Sequence, residues 1–398
     1  MKRLTVFFAA ALLFSTIAPA AIKAENAAYQ DVSASYWAKK EIDYLSESGI
    51  IKGYSNGKFG INDPVKRSQA AIMLVRALNL STANRPNPQF SDVPFSHPAY
   101  LEIAAAVDAG LFSKGGKFNP NASLTRAQMA KILVNAFSLN KTTQAIFPDV
   151  ATNNWAYPYI TKLLGHKITT GYSDGTFKPN QTLTRTQFAV FLARTLNPAF
   201  QPRFIVYPRK ILDTIFYPQV AGLPAGVSTN INNALYGHAE QAKRGVEEVR
   251  KLAEADKNEG LPVDSYTYGT GYDVKRADNE YISIIFTDYT YTGGAHGMYW
   301  NTGYTFDTKT GSLLTLGEVA NNSNYVNIIN DEIHKQIQQR RSSGEYTDWE
   351  FKDFSSINND TGFYVTAGGI VIYFQPYEYT PYALGIPEFS IPFSAFQE

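Results

Sequence analysis

The apolar positions of the first half recur with the period of a helix, and the polar ones gather in Gly-rich turns between the helices. Ala38, Ile42 and Leu45 share one helical face, and Gly49 ends that helix. The turn "GYSNGKFG" follows. Gly and Asn accept positive φ there, with Tyr54 and Phe59 packed beneath. A second helix starts near Lys66 and offers Ala70, Met73, Leu74 and Ala77 to a core. The same order of helix, turn and helix returns twice. Its Asp-Val starts fall at Asp31, Asp92 and Asp149, and Arg67, Arg126 and Arg185 stand evenly 59 residues apart, which marks one repeated structural unit. Thr125 and Thr184 can cap their helices, and Gln128 and Gln187, three residues on, complete a capping box; Lys66 lacks the capping oxygen. A two-helix unit cannot bury its apolar face alone. Copies over residues 28–80, 88–139 and 145–198 are therefore expected to pack into one all-α body.

After "RTLNPAFQPRF" the repeat stops. Pro198 and Pro202 mark a linker to a second domain over 206–398. There a helix is predicted from about Asn233 to Gly260. Strand-like runs follow at "VDSYTYGTGYDVKR", "EYISIIFTDYTYTG" and "YWNTGYTFD", then a helix around "NYVNIINDEIHKQIQQR", then strands in "TGFYVTAGGIVIYFQPY" and "PEFSIPF". The mixture implies an α+β domain and a multidomain chain.

The chain opens with Lys2 and Arg3 ahead of an apolar run and small residues, which reads as an export signal over residues 1–24; cleavage at Ala20 is the alternative. No later stretch is long and apolar enough to span a bilayer. The mature chain is thus expected outside the cytoplasm without an integral membrane segment. The absence of Cys excludes disulfides, thiol chemistry and thiolate metal sites. A net charge of +1 gives no argument for nucleic acid as a partner.

The repeated Arg carries the most chemistry. Each stands in the first turn of its helix, where the dipole disfavours a cation unless an anion lies near. Free N–H groups and a guanidinium fork together make a receptor for carboxylate or phosphate. An internal salt bridge to Asp31, Asp92 and Asp149 is the competing reading, and both stand on the sequence.

The Asp-Val before a Trp-Ala helix (Asp31, Val32, Trp37, Ala38; Asp149, Val150, Trp155, Ala156), the turn "GYSDGTF" and the start "LTRTQ" resemble the S-layer homology family. The resemblance implies a pseudo-threefold helical bundle whose clefts bind pyruvylated secondary cell wall polysaccharide at a Gram-positive cell wall or S-layer surface. It also implies binding roles for Arg67, Arg126 and Arg185, for Gly53 and Tyr54, and for Gly171, Tyr172 and Asp174. On this reading one segment, from Gly171 through Arg185, forms one wall of a pocket, with Arg on a carboxylate and an aromatic on a sugar face. Copy two departs from the pattern with "HPAY" and "SKGGKF", so its contribution is expected to be structural, and copy three is the nearest to it. Gln69, Gln128 and Gln187 replace the family's usual Glu. Trp37 and Trp155 begin helices with apolar partners and are expected in the core.

In the second half, "YTGGAHGMYWNTGYTFDTKTGSLLTLGEVA" and "GGIVIYFQPYEYTPYALGIPEFSIPFSAF" resemble the extracytoplasmic domain shared by a lysozyme-sensing anti-sigma factor and the non-catalytic region of a peptidoglycan deacetylase. The likeness implies a protein-binding surface, with lysozyme or a wall-associated protein as the partner. His296, Tyr377, Glu378 and Tyr379 are the candidate recognition residues, within an aromatic cluster that includes Tyr373, Phe374 and Tyr382. An enzyme could be drawn from His296 with Asp288, or from Glu378 with Glu388. The five His show no metal spacing and no nucleophile elbow or phosphate loop is present, so no catalytic residue, metal or cofactor is assigned. The expectation is a non-catalytic surface protein, with a wall-anchored hydrolase or deacetylase as the alternative.

Overall fold

The computed structural model describes residues 29–347, 351 and 354–397; the leader over 1–24 lies outside them. The repeats form six helices: α1 (Lys39–Glu47), α2 (Arg67–Ala77), α3 (Tyr100–Asp108), α4 (Arg126–Ala136), α5 (Tyr157–Gly165) and α6 (Arg185–Leu196). The second helix of each copy packs on the first helix of the next, α2 on α3, α4 on α5 and α6 back on α1, which closes a ring. The segments before the second helices close the same ring. Antiparallel bridges join Lys66 to Ser123, Thr125 to Thr182 and Pro64 to Thr184. The N–H groups of Arg67, Arg126 and Arg185 donate to the carbonyls of Ala122, Gln181 and Asp63. Helix starts that would otherwise need solvent are thus satisfied by the neighbouring copy.

Thr125 and Thr184 form full capping boxes with Gln128 and Gln187. At Lys66 only the Gln69 half is made, since an ammonium cannot accept. Phe59, Phe118 and Phe177, at equivalent positions, are fully buried in one core shared by all three copies.

The second half is α+β. Strands β1 (Ile205–Leu212), β2 (Ile215–Ala221), β3 (Thr267–Ala277), β4 (Tyr281–Tyr291) and β5 (Met298–Asp307) lie side by side in that order. The sheet is antiparallel except between β2 and β3, which run parallel and are connected through α7 (Ala225–Asn258). Ile231, Leu235, Ala239 and Ala242 of α7 press onto Ile215, Ile282, Ile284 and Phe286 of the sheet. After the short α8 (Leu316–Ala320), α9 (Tyr325–Ser342) lays Ile329, Ile333 and Ile337 on a second sheet of β6 (Gly362–Val365), β7 (Gly369–Tyr373) and β8 (Glu388–Pro392). Two features went unpredicted. The β1–β2 hairpin was passed over, and α7 begins at Ala225, eight residues before the expected Asn233.

The halves touch. Ile205 enters the repeat core, Ile146 N–H donates to Pro208 O (2.9 Å), and Val274 N–H donates to Ser173 O (3.0 Å). Gly175, at φ +75°, lies directly under the Tyr272 hydroxyl, where a Cβ would collide with it.

Candidate functional site

Three clefts open around the ring, and each draws on more than one copy. The first, about 180 Å³, is lined by Lys52, Gly53, Tyr54, Gln69 and Arg76 of copy one with Arg185 of copy three. The second, about 390 Å³, combines Phe112, Ser113, Gly115, Lys117, Gln128 and Lys131 of copy two with Arg67 of copy one and Trp155 of copy three. The third, about 200 Å³, combines Gly171, Tyr172, Gln187 and Arg194 of copy three with Arg126 of copy two and Trp37 of copy one. The turn of one copy therefore meets the Arg of the copy before it. Where a Trp is present, it comes from the copy after.

This arrangement corrects the expectation that Arg and aromatic of one segment share a pocket. The Arg185 guanidinium lies 4.8 Å from the Tyr54 ring, and Arg126 lies 4.8 Å from that of Tyr172. Arg67 is held 5.3 Å from Phe112 and 5.0 Å from Phe118. The turn of copy two, despite its departures from the pattern, also lines a cleft, the largest of these three. Phe112 there does the work given to Tyr54 and Tyr172 elsewhere. Trp37 and Trp155 are 63% and 54% exposed, so they are cleft rims and not core. The core beneath them is filled by Ala38 and Ala156 instead.

The Asp-Val aspartates do not ion-pair with the Arg residues. Asp31 accepts backbone N–H bonds from Phe59, Gly60 and Ile61, Asp92 from Phe118 and Asn119, and Asp149 from Phe177 and Lys178. Burial opposes ionisation of Asp31 and Asp92, yet the combined N–H bonds outweigh it and hold both carboxyls below the ordinary value. The same three peptide units then orient the cations. Arg185 Nε donates to Phe59 O, Arg67 Nε to Phe118 O and Arg126 Nε to Phe177 O, at 2.7–2.9 Å.

What remains of each guanidinium faces the cleft. Arg126 and Arg185 are only 3% exposed. Arg185 gives one more N–H to Lys52 O (2.9 Å), while the terminal nitrogens of Arg67 and Arg126 lie against aromatic rings without a hydrogen-bond partner among the described residues. Burial lowers the pKa of all three, which is the signature of a cation short of compensating charge. A carboxylate entering the cleft supplies that charge and meets a two-pronged donor. Asp174 is not in a cleft lining. It accepts from Thr176 N–H and Oγ1–H, pairs with Lys178 at 3.6 Å, and so stiffens its own turn. Gln69, Gln128 and Gln187 do line the clefts, each with its amide oxygen already spent on a helix start. Their recurrence two residues after the Arg was the available signal.

In the second half, the structure brings His296 and Tyr377 together. Their side chains meet at 3.1 Å, and His296 stacks on Tyr382 with centroids 3.8 Å apart. Tyr377 is held at φ +70°, in the left-handed region a bulky residue rarely occupies. Glu378 accepts from Gln375 N–H of its own loop, and Tyr379 packs on Phe351, Phe354 and Phe374, so neither joins that cluster. Tyr373 and Phe374 are core residues. Asp288 does not pair with His296. It is buried 3.2 Å from His238 and accepts from Tyr268 OH (3.0 Å), whose pKa is pushed up by burial and then by this carboxylate. Glu388 accepts from Tyr364 OH. Among the described residues no group of His, Asp and Glu is arranged to hold a metal ion, and no helix is long and apolar enough to cross a membrane.

Residues 28–71, 89–130 and 146–189 match the S-layer homology domain. Residues 211–299 match a family described as deacetylase PdaC, and 319–394 match one described as a protein of unknown function, DUF3298. The S-layer protein sap of Bacillus anthracis is 32% identical over 197 residues, 47% of this chain and 23% of that protein. The surface-layer 125 kDa protein of Lysinibacillus sphaericus is 34% identical over 201 residues, 48% of this chain and 17% of that protein. An uncharacterized cell wall amidase of B. anthracis is 30% identical over 219 residues, 54% of this chain and 40% of that protein. The chain thus spans about a quarter or less of the S-layer relatives. A DUF3298 family crystal structure from Bacteroides fragilis is 19% identical, with a TM-score of 0.38, and aligns with 49% of this chain and 92% of that one. The first half consists of S-layer homology repeats, which anchor the chain at the cell-wall or S-layer surface. The second half is of the PdaC and DUF3298 type.

Proposed function

We propose that the chain is a non-catalytic surface protein held by its clefts to pyruvylated secondary cell wall polysaccharide, with the second half as the binding or structural module it carries. The observation that carries this reading is the buried Arg with unspent N–H groups at the junction of two copies, beside an aromatic ring. That pairing suits a carboxylate ketal on a sugar ring, with the guanidinium on the carboxylate and the ring against the sugar face. Exposed Trp37 and Trp155 extend the apolar wall.

The test is sedimentation of the mature chain with purified walls, before and after acid removal of the secondary polysaccharide. Binding is expected to vanish with the polysaccharide. Arg126→Ala should weaken binding by about 2 kcal/mol, the scale of a hydrogen bond to a charged group. Binding that survives the acid treatment sinks the reading.

The cluster of exposed His296 and Tyr377 on half-buried Tyr382 favours protein recognition by the second half, with lysozyme or a wall-associated protein as the partner. The acid and base pairs that would support a hydrolase or deacetylase are divided between separate networks, Asp288 with His238 and His296 with Tyr377. Retention of lysozyme by the immobilised full chain, lost on Tyr377→Ala, would support the first view. Turnover of peptidoglycan abolished by His296→Ala would restore the second.

A further inference from the structure

The three clefts differ in where their second cation stands. On the cleft-facing side of the second helix, the positions five and nine residues after the Arg carry Ile72 and Arg76 in α2, Val190 and Arg194 in α6, but Lys131 and Asn135 in α4. In copy two the cation has moved by four residues toward the helix start, about 6 Å or one turn. The move changes what the cation can do. Arg76 directs NH1 to Ile50 O (3.5 Å) and Arg194 directs NH1 to Ile168 O (3.2 Å), each tying the second helix to the end of the first. Lys131 makes no such tie and is exposed at the cleft wall.

Lys117 adds a second exposed ammonium from the turn below, near enough to Asp92 to help hold that carboxyl ionised. Neither Lys has a hydrogen bond or ion pair among the described residues. The first cleft has one comparable ammonium, Lys52, and the third has none. The second cleft is also about twice as large as either neighbour, at about 390 Å³ against 180 and 200 Å³. Two mobile point charges beside a planar fork suit a different anion from the fork alone. The fork alone can meet a carboxylate or a phosphate, whereas the added ammonium charges reach further oxygens of a tetrahedral group and favour its second negative charge.

Building on the anchoring role proposed above, we infer that the second cleft, formed by Arg67, Lys117 and Lys131, selects a sugar bearing a dianionic phosphomonoester, while the third takes a singly charged ketal. The second and third clefts then read different charge states along one acidic glycan.

Trp155 borders the second cleft and Trp37 the third, so each cleft carries its own reporter. The mature full chain is prepared with 5-fluorotryptophan, and its fluorine resonances are assigned with Trp37→Phe and Trp155→Phe. It is titrated with glucose 6-phosphate and with a methyl glucoside carrying a 4,6-pyruvate ketal. Glucose 6-phosphate is expected to shift the Trp155 resonance at about tenfold lower concentration than that of Trp37, the effect of one added charge-assisted contact. The ketal should move both within a factor of about three. The double change Lys131→Ile with Asn135→Arg writes the pattern of the other copies into α4. It should abolish the phosphate preference while the ketal response persists. Equal responses to phosphate, or a preference unchanged by the double variant, overturn the selectivity alone. If the ketal moves neither resonance, the anchoring role falls; a surviving phosphate response at Trp155 would then uphold the cation cluster by itself, and silence there would remove it too.

Discussion

Each Asp-Val aspartate acts through a peptide unit and not through its charge partner. Asp92 takes the N–H of Asn119, and the Phe118 carbonyl of that same peptide unit takes Arg67 Nε, so one carboxylate fixes both the turn and the cation's direction. Because the folded carboxyls of Asp31 and Asp92 are depressed, they contribute stability that is fully present above the unfolded aspartate value, about pH 4. That stability is lost as pH falls through the lower folded values. Thermal melts between about pH 5 and pH 2 should show a falling acid limb, and Asp92→Asn should make the limb shallower; an unchanged slope would remove Asp92 from this role. None of this was legible in the sequence, where an Asp and an Arg spaced so regularly read equally well as an ion pair. What decided between them was the peptide lying between, and no spacing rule reports it.

At the level of the helix, the legible and the hidden divide by range. Helix starts were legible because capping is local: Thr125 and Thr184 do what their spacing from Gln128 and Gln187 requires. The absence of a cap at Lys66 is equally local. Lys66→Thr should complete that box and raise stability by about 0.5–1 kcal/mol in urea denaturation, and no gain would mean the site is limited by the Ser123 bridge instead. Hidden from the sequence was the partner of each helix. The apolar faces say that α2 must be covered, but not that α3 of the next copy covers it. For that reason the sequence named the Arg, Gly and Tyr positions that line the clefts, but not their grouping, and it added Asp174, which lines none of these three. Trp37 and Trp155 were misassigned for a related reason: a large ring at a helix entry looks like core until neighbouring Ala38 and Ala156 are seen to fill the space. The β1–β2 hairpin was passed over because Pro208 and Pro218 interrupt its strand pattern, although in the sheet they face each other across the pair.

The whole molecule couples a ring to a sheet through the turn of copy three. Gly175 meets Tyr272 and Ser173 receives the N–H of Val274, so the turn that begins in the wall of the third cleft, at Gly171 and Tyr172, goes on to contact the second half. Gly175→Val would put a β-branched residue at positive φ against a buried ring, costing about 1–3 kcal/mol. Calorimetry should then show the melting of the two halves separating; a single unshifted transition would mean the contact contributes nothing. The ring itself has a further consequence, for how such a sequence changes over generations. Copy three supplies the Arg of the first cleft, the Trp of the second and the turn of the third. Losing copy one or copy three would therefore leave no cleft intact, and losing copy two would leave only the first. A drifting copy, by contrast, spreads its losses over different clefts: copy two carries Pro98 at the position where the others carry Trp, and the first cleft is the one without a Trp in its lining. Inheritance acts on copies and binding acts on clefts, and the offset between the two lets the copies diverge in sequence while none can be discarded without the loss of clefts.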